Sequence, residues 1–261
     1  MVAVFVCAMI NTSYQMKKSD LKGKVVWITG GKRIGQSIAV ALAEAGAEII
    51  ISYRSSLAEA EEVAKKVKSV GKKCYIIQCD VSKKESVMEA VKEIEKKFKR
   101  IDILVLLASV FKPVAFSAIS EADFDVNVAT HIKGTFWPIQ ASAPIMKPGS
   151  HIIAISDRTS LGRVYSGYLP YVVTKAAVSS MVKALSVELG PKGIFINAIA
   201  PGPILRPDDI SQKDWQKIRD GSIIKYKIND DEAVDEFVQT VLRLSHVRSS
   251  GTTYPLDLGH I

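Results

Sequence analysis

The stretch "WITGGKRIGQSIA", Trp27 to Ala39, decides how the rest of the chain is read. Apolar residues up to Thr29 have the makeup of a buried strand, two glycines follow, and beyond them the apolar spacing turns helical. A strand that enters a helix through a glycine turn leaves free N–H groups and a positive dipole end at the helix start, which is the local chemistry that holds a phosphate. Gly30 and Gly31 permit close backbone approach, and Gly35 lets the helix lie near the strand. Lys32, Arg33 and Ile34 fill the rest of the turn, and Arg33 stands where nucleotide-binding turns of the commonest kind carry another glycine.

Working outward, apolar runs alternate with helical patterns along the chain. The runs are "KVVWIT", "AEIIISY", "KCYIIQCDV", "IDILVLLAS", "SHIIAIS", "IFINAIA" and "TTYPLDL"; helical segments such as "SVMEAVKEIEKKF" fill the intervals. Strands apolar on both faces are expected where helices cover both sides of a parallel sheet. The pattern predicts one α/β domain over residues 21–261, doubly wound and Rossmann-type, with a mainly parallel seven-stranded sheet. Ser82 and Glu85 have capping-box spacing before one helix, and Gly46 and Gly71 have the place of helix stops after two others. Between Pro201 and Asn229 the pattern is least regular, which suits either a substrate lid or a variable surface loop.

Composition narrows the class. A chain of 261 residues that is 48% hydrophobic can bury a sizeable core. Its net charge of +8 comes from lysines interleaved with glutamates on helical segments, without the aromatic-plus-basic stripe of single-strand binders, so no nucleic-acid partner is expected. Cys7, Cys74 and Cys79 are too few and too irregularly spaced for a disulfide framework or a zinc site; the expectation is a reducing, cytoplasmic setting and no metal. The apolar start "MVAVFVCAMI" lacks a positive region and is too short to span a bilayer, so residues 1–20 read as a non-catalytic extension with Met16 as an alternative start, a weak signal peptide being the other reading, and no membrane partner is expected.

Two further segments carry chemistry. After the second strand, "SYRSS" places Tyr53, Arg54 and Ser55 where NAD-selecting folds carry an acid for the ribose hydroxyls. A guanidinium pairs bidentately with a 2′-phosphate and a hydroxyl donates to it, so the reading is NADPH as cofactor; a surface arginine with no such duty is the alternative. Asp80 and Val81 close the third strand, where an adenine would rest. In "SGYLPYVVTKAAVSSMVKALSVELG", Tyr171 and Lys175 stand four apart and leave one face of a helix. An adjacent ammonium stabilises a phenolate and lowers the phenol pKa, which would make Tyr171 a proton donor.

With "TGGKRIG", "YVVTK" and "NAIAPGPI" in this order, the chain resembles the short-chain dehydrogenase/reductase family from about Leu21 to "YPLDLG". The resemblance implies Tyr171 as proton donor, Lys175 holding the nicotinamide ribose, Pro201, Gly202 and Ile204 lining the nicotinamide site, Ala108 beside the cofactor, and a homotetramer or homodimer. Three departures stand out. Leu106, Leu107, Ala108 and Ser109 replace the family's Asn-Asn-Ala-Gly stretch, His131 replaces the asparagine that supports the lysine, and Ser156 and Asp157 stand where a Ser-Ser pair is common.

Within the family, the pteridine reductase branch is similar in an arginine of the glycine turn (Arg33), Arg-Ser after strand two (Arg54, Ser55), an Ala-Ser-x-Phe stretch (Ala108 to Phe111) and an aspartate for the strand-five serine (Asp157). That likeness implies Phe111 stacking on a pterin, Ser109 bonding to it, Arg33 reaching both pyrophosphate and pterin, and Asp157, Tyr171 and Lys175 delivering the proton, with Ser156 beside them. Phe111 as plain loop packing is the alternative. The expected function is NADPH-dependent reduction of a small-molecule substrate of pterin or dihydrofolate type. The alternatives are a carbonyl reductase of the same family, acting on a 3-oxoacyl thioester, sugar or small ketone, and a catalytically weak nucleotide-binding paralogue.

Overall fold

The computed structural model describes residues 21–162, 164–207, 210–224 and 228–260; the apolar extension, with Cys7 and Met16, lies outside them. Seven strands form one sheet in the order β3-β2-β1-β4-β5-β6-β7, every neighbouring pair parallel. They are β1 (Val25–Thr29), β2 (Glu48–Tyr53), β3 (Cys74–Gln78), β4 (Ile103–Leu106), β5 (His151–Ile155), β6 (Phe195–Pro201) and β7 (Thr253–Leu256). The expected fold class therefore holds, and the sheet is parallel throughout rather than mainly so. β1 is buried over its whole length, as a central strand covered on both faces must be. Its Trp27 is fully buried and donates its indole N–H to Ser52 Oγ at 3.1 Å, which satisfies the one polar atom of that ring.

Helices cover both faces. On one side, Ile38 and Leu42 of α1 (Ile34–Glu44), Val63 and Val67 of α2 (Leu57–Ser69) and Phe237 and Val241 of a late helix pack on Ile28, Ile51 and Val105. On the other, Val87 and Ile94 of α3 (Lys84–Phe98), Ile139 of a central helix and Val178 and Val182 of a long later one pack on Trp27, Leu104 and Ile152. Gly46 and Gly71 stop α1 and α2 as expected, each with positive φ (108° and 80°). The capping box expected at Ser82 does not form: α3 starts at Lys84, and the Ser82 hydroxyl donates to Asp80 Oδ1 at 2.6 Å instead, a bond available two residues away before any helix begins.

The chain reverses its direction of growth between β1 and β4, which are adjacent in the sheet although two strands separate them in sequence. At that switch point the C-terminal ends of the strands open a crevice, and the functional residues gather there. The remaining helices frame it: α4 (Glu121–Asn127), a π-helical segment Val128–Lys133, α5 (Gly134–Ser142), α6 (Leu169–Leu189), α7 (Gln212–Asp220) and α8 (Asp230–Leu244). Pro170 sits in the first turn of α6, where its missing N–H costs nothing, and Asn229 and Glu232 close a capping box at the start of α8. Among the described residues no helix is long and apolar enough to cross a membrane, and no group of His, Cys, Asp or Glu gathers as for a metal ion.

Candidate active site

The glycine turn meets its neighbours at backbone distance. A Cβ on Gly35 would stand 2.5 Å from the Gly30 carbonyl oxygen, and one on Gly31 would stand 2.7 Å from Ile51 Cγ2. The turn is held between two strands: Gly30 N–H donates to Ser52 O, and Leu107 N–H donates to Thr29 O. From it opens a cleft of about 370 Å³ lined by Gly30, Lys32, Ile34, Tyr53, Arg54, Ser55, Asp80, Val81, Ala108 and Ser109, among others. The lining suits an extended dinucleotide: the positive dipole end of α1, a guanidinium and hydroxyls at the end of β2, and apolar walls further along. Glu59 also reaches this cleft, but Lys32 Nζ pairs with it at 2.5 Å.

Four further sequence-selected residues have these places. Arg33, at φ 56° and ψ −114°, turns away from the cleft wall and donates through Nη2 to the carbonyls of Leu205 (3.1 Å) and Arg206. It thus ties the glycine turn to the segment after β6, instead of reaching across the crevice. Gly202 is small for a different neighbour, because a Cβ there would lie 2.4 Å from the Asp257 carbonyl oxygen of the C-terminal segment. Ile204 is buried in the α1/α8 face of the core, and Pro201 ends β6.

Around Tyr171 the chemistry is concentrated. Its hydroxyl donates to Asp157 Oδ2 at 2.8 Å, while Asp157 Oδ1 accepts from Thr159 N–H at 2.9 Å. Burial, and then the Asp157 carboxylate, push the Tyr171 phenol well above its ordinary range. Lys175, 3% exposed, donates from Nζ to the Ile155 carbonyl at 2.8 Å, and its Nζ stands 5.7 Å from the centroid of the Tyr171 ring. Burial brings its ammonium down to about 8 against the opposing pull of Asp157. The charge in contact with the hydroxyl is thus a carboxylate, which raises the phenol pKa, while the Lys175 ammonium stands further off.

The Ser156 hydroxyl, buried, donates to the Lys175 main-chain carbonyl (2.9 Å) and lies 2.7 Å from Ser179 Oγ, so its bonds run to α6.

Phe111 lies beside Tyr171 and is 38% exposed. It meets the Tyr171 ring edge-on at 4.8 Å and stacks on Tyr168 at 4.4 Å and 16°. Tyr165 completes the cluster, 5.2 Å from Tyr168, with the Arg158 guanidinium 5.3 Å from its face. Tyr165 also interacts with Asp157, which joins burial in raising its phenol pKa. Sequence reasoning passed over Tyr165 and Tyr168, although the three-residue spacing of tyrosines in "YSGYLPY" was a visible signal. Ser109 faces His131, whose ring is buried between the β4 loop and α6.

Comparison with known proteins places the chain in a family. A family model described as enoyl-(acyl carrier protein) reductase matches residues 30–254. A 3-oxoacyl-(acyl-carrier-protein) reductase FabG of Staphylococcus epidermidis is 36% identical over 186 residues, which is 70% of this chain and 75% of that protein. Among solved structures, a short-chain dehydrogenase/reductase from Serratia marcescens superposes with a TM-score of 0.82 at 28% identity, covering 92% of this chain and 98% of that one. A short-chain dehydrogenase from Burkholderia cenocepacia, in complex with NADP, superposes with a TM-score of 0.81 at 27% identity over the same shares. With its parallel sheet, its glycine turn at the switch point and Tyr171 and Lys175 on one helix, the chain belongs to the short-chain dehydrogenase/reductase family.

Proposed function

We propose that this oxidoreductase is an NADPH-dependent reductase of a planar, polar ring of the pterin or dihydrofolate class. The observation that carries the reading is the Tyr171–Asp157 hydrogen bond. Carbonyl reduction builds negative charge on an oxygen, which wants two donors; here one candidate donor, Ser156, is engaged within α6, and the group beside the phenol is an acceptor. A ring that carries N–H donors next to its reducible C=N bond finds in Asp157 the partner a ketone lacks. Phe111 supplies an aromatic wall beside the same hydroxyl, suited to a flat ring.

When bound, NADPH supplies the hydride to the ring carbon. The chain's part is to hold the reactants and move one proton. Tyr171 Oη gives its proton to the ring nitrogen as that atom gains the electron pair, and solvent restores it. Asp157 keeps the phenol protonated and aimed until then, and Lys175, fixed by Ile155, offsets the carboxylate's charge. Gly30, Gly35, Lys32 and Ile34 are the proposed pyrophosphate contacts, with Arg54 and Ser55 on the 2′-phosphate and Asp80, Val81 and Ala108 along the adenosine path. The choice of NADPH is supported by Arg54 at the end of β2 and by the NADP bound in the Burkholderia cenocepacia relative. In this reading the enzyme works in the cytoplasm as a homodimer or homotetramer, a state that light scattering measures.

A second reading, reduction of a 3-oxoacyl thioester or small ketone, is favoured by the FabG relative. One assay separates the two: oxidation of NADPH and NADH with dihydrobiopterin, dihydrofolate and a 3-oxoacyl ester. Turnover of the ring substrates is expected; turnover of the ester alone overturns the pterin reading in favour of the second. NADPH binding with turnover of none overturns both and leaves a nucleotide-binding paralogue.

A further inference from the structure

His131 is the least expected residue beside the site, and its contacts define a task. It lies in the π-helical segment between α4 and α5, whose wider turn carries it inward to 1% exposure. Nε2 is 3.1 Å from the Val110 amide nitrogen and 3.0 Å from Ser109 Oγ, and Nδ1 is 2.8 Å from Thr174 Oγ1. The ring meets the Tyr171 ring edge-on, with centroids 5.4 Å apart. An amide N–H only donates, so Nε2 presents its lone pair, and the ring proton of a neutral imidazole is then on Nδ1. Nδ1–H donates to Thr174 Oγ1, whose own proton goes to the Pro170 carbonyl at 2.8 Å. Val110 N–H, Nδ1 and Thr174 Oγ1 each have a partner of the right sense, and a doubly protonated ring would set N–H against N–H at Val110.

We propose that His131 is a positioning residue: in its Nδ1–H form it clamps the Ser109–Phe111 wall to the face of α6 that carries Tyr171, and so sets where the substrate ring lies over the phenol. This rests on the reading that Ser109 and Phe111 touch substrate. An asparagine at this place reaches only as far as Nδ1 and would leave the Val110 N–H without its partner. The imidazole spans both elements in one rigid plane. Burial and the nearby Lys175 ammonium agree with the neutral ring, holding its pKa at about 3.

The test uses the full chain with ¹⁵N-labelled histidine and two near-isosteres. His131→Gln keeps an acceptor at the Nε2 position and loses the Thr174 bond; His131→Asn does the reverse. The expected NMR result is a neutral Nδ1–H ring with an unprotonated Nε2 down to pH 5, in free and NADPH-bound protein. In kinetics, His131→Asn raises KM for the substrate to be reduced about tenfold, near the cost of one buried hydrogen bond, and raises it more than KM for NADPH. His131→Gln restores most of that loss. A protonated or Nε2–H ring overturns the clamp. So do equal KM values for the two variants and the wild type, or losses that appear only where the melting temperature has collapsed. Because any turned-over substrate serves, a response of KM with a ketone but no pterin turnover leaves the clamp standing and defeats the pterin reading alone. Pterin turnover with an unresponsive KM does the opposite.

Discussion

Tyr171 and Asp157 share a phenol-to-carboxylate hydrogen bond of 2.8 Å in a buried site, and this bond sets the proton's position before any substrate arrives. A carboxylate against a phenol disfavours the phenolate, so the hydroxyl holds its proton firmly. In the proposed pterin reaction, the ring nitrogen left after hydride transfer is the strong base that takes it.

Replacing Asp157 by Asn removes the charge and keeps the shape. The Tyr171 ionisation then moves down toward the ordinary tyrosine range, and the alkaline limb of the kcat pH profile moves to lower pH with it. Turnover of a ring substrate falls by about a hundredfold, the usual scale for a misassigned proton donor. An unmoved alkaline limb would show that the carboxylate does not govern the phenol.

Arg54→Glu puts an acid at the end of β2, where the cleft holds Tyr53 and Ser55. KM for NADPH is expected to rise by about tenfold or more, each factor of ten being about 1.4 kcal/mol, while KM for NADH changes little. Steady-state kinetics with both cofactors reads the split.

Gly35→Ala sets a Cβ 2.5 Å from the Gly30 carbonyl oxygen, and two backbone segments cannot both yield there. The expected outcome is a lower melting temperature together with weakened NADPH binding by fluorescence titration. Gly71→Ala is the contrast: it has φ of 80° with nothing within 4 Å, so it costs only the left-handed strain, about 1–2 kcal/mol, and leaves cofactor binding alone.

Acid stability follows from two buried imidazoles. Burial holds His131 at about 3 and His151, stacked on Phe195, at about 4, both below the 6.5 of a free imidazole. Both are neutral in the fold, whereas the unfolded chain takes up protons near 6.5. Their contribution is therefore complete above that pH and declines as pH falls from 6.5 toward 4. His151→Phe, which preserves an aromatic surface on Phe195, flattens the decline by about 2 kcal/mol in urea unfolding measured across that range.

Much of this was legible in the sequence, for a local reason. Periodicity of two-faced apolar strands and amphipathic helices specifies layers, and a glycine turn after the first strand specifies where the crevice opens, because both depend on residues close together in the chain. The strands from "KVVWIT" to "TTYPLDL", the helix that carries Tyr171 and Lys175, and the cleft residues Tyr53, Arg54 and Asp80 follow from such rules.

What only the tertiary structure decided were the partners of polar atoms. Arg33 binds carbonyls 172 and 173 residues away, Ser156 turns into a helix, and His131 finds Thr174 across 43 residues. A hydrogen bond is satisfied by whatever donor or acceptor the fold brings within about 3 Å, and spacing along the chain carries no record of that. The sequence by itself determined the sheet, its crevice and the helix that carries Tyr171; packing alone determined that an aspartate, not the lysine, touches the phenol.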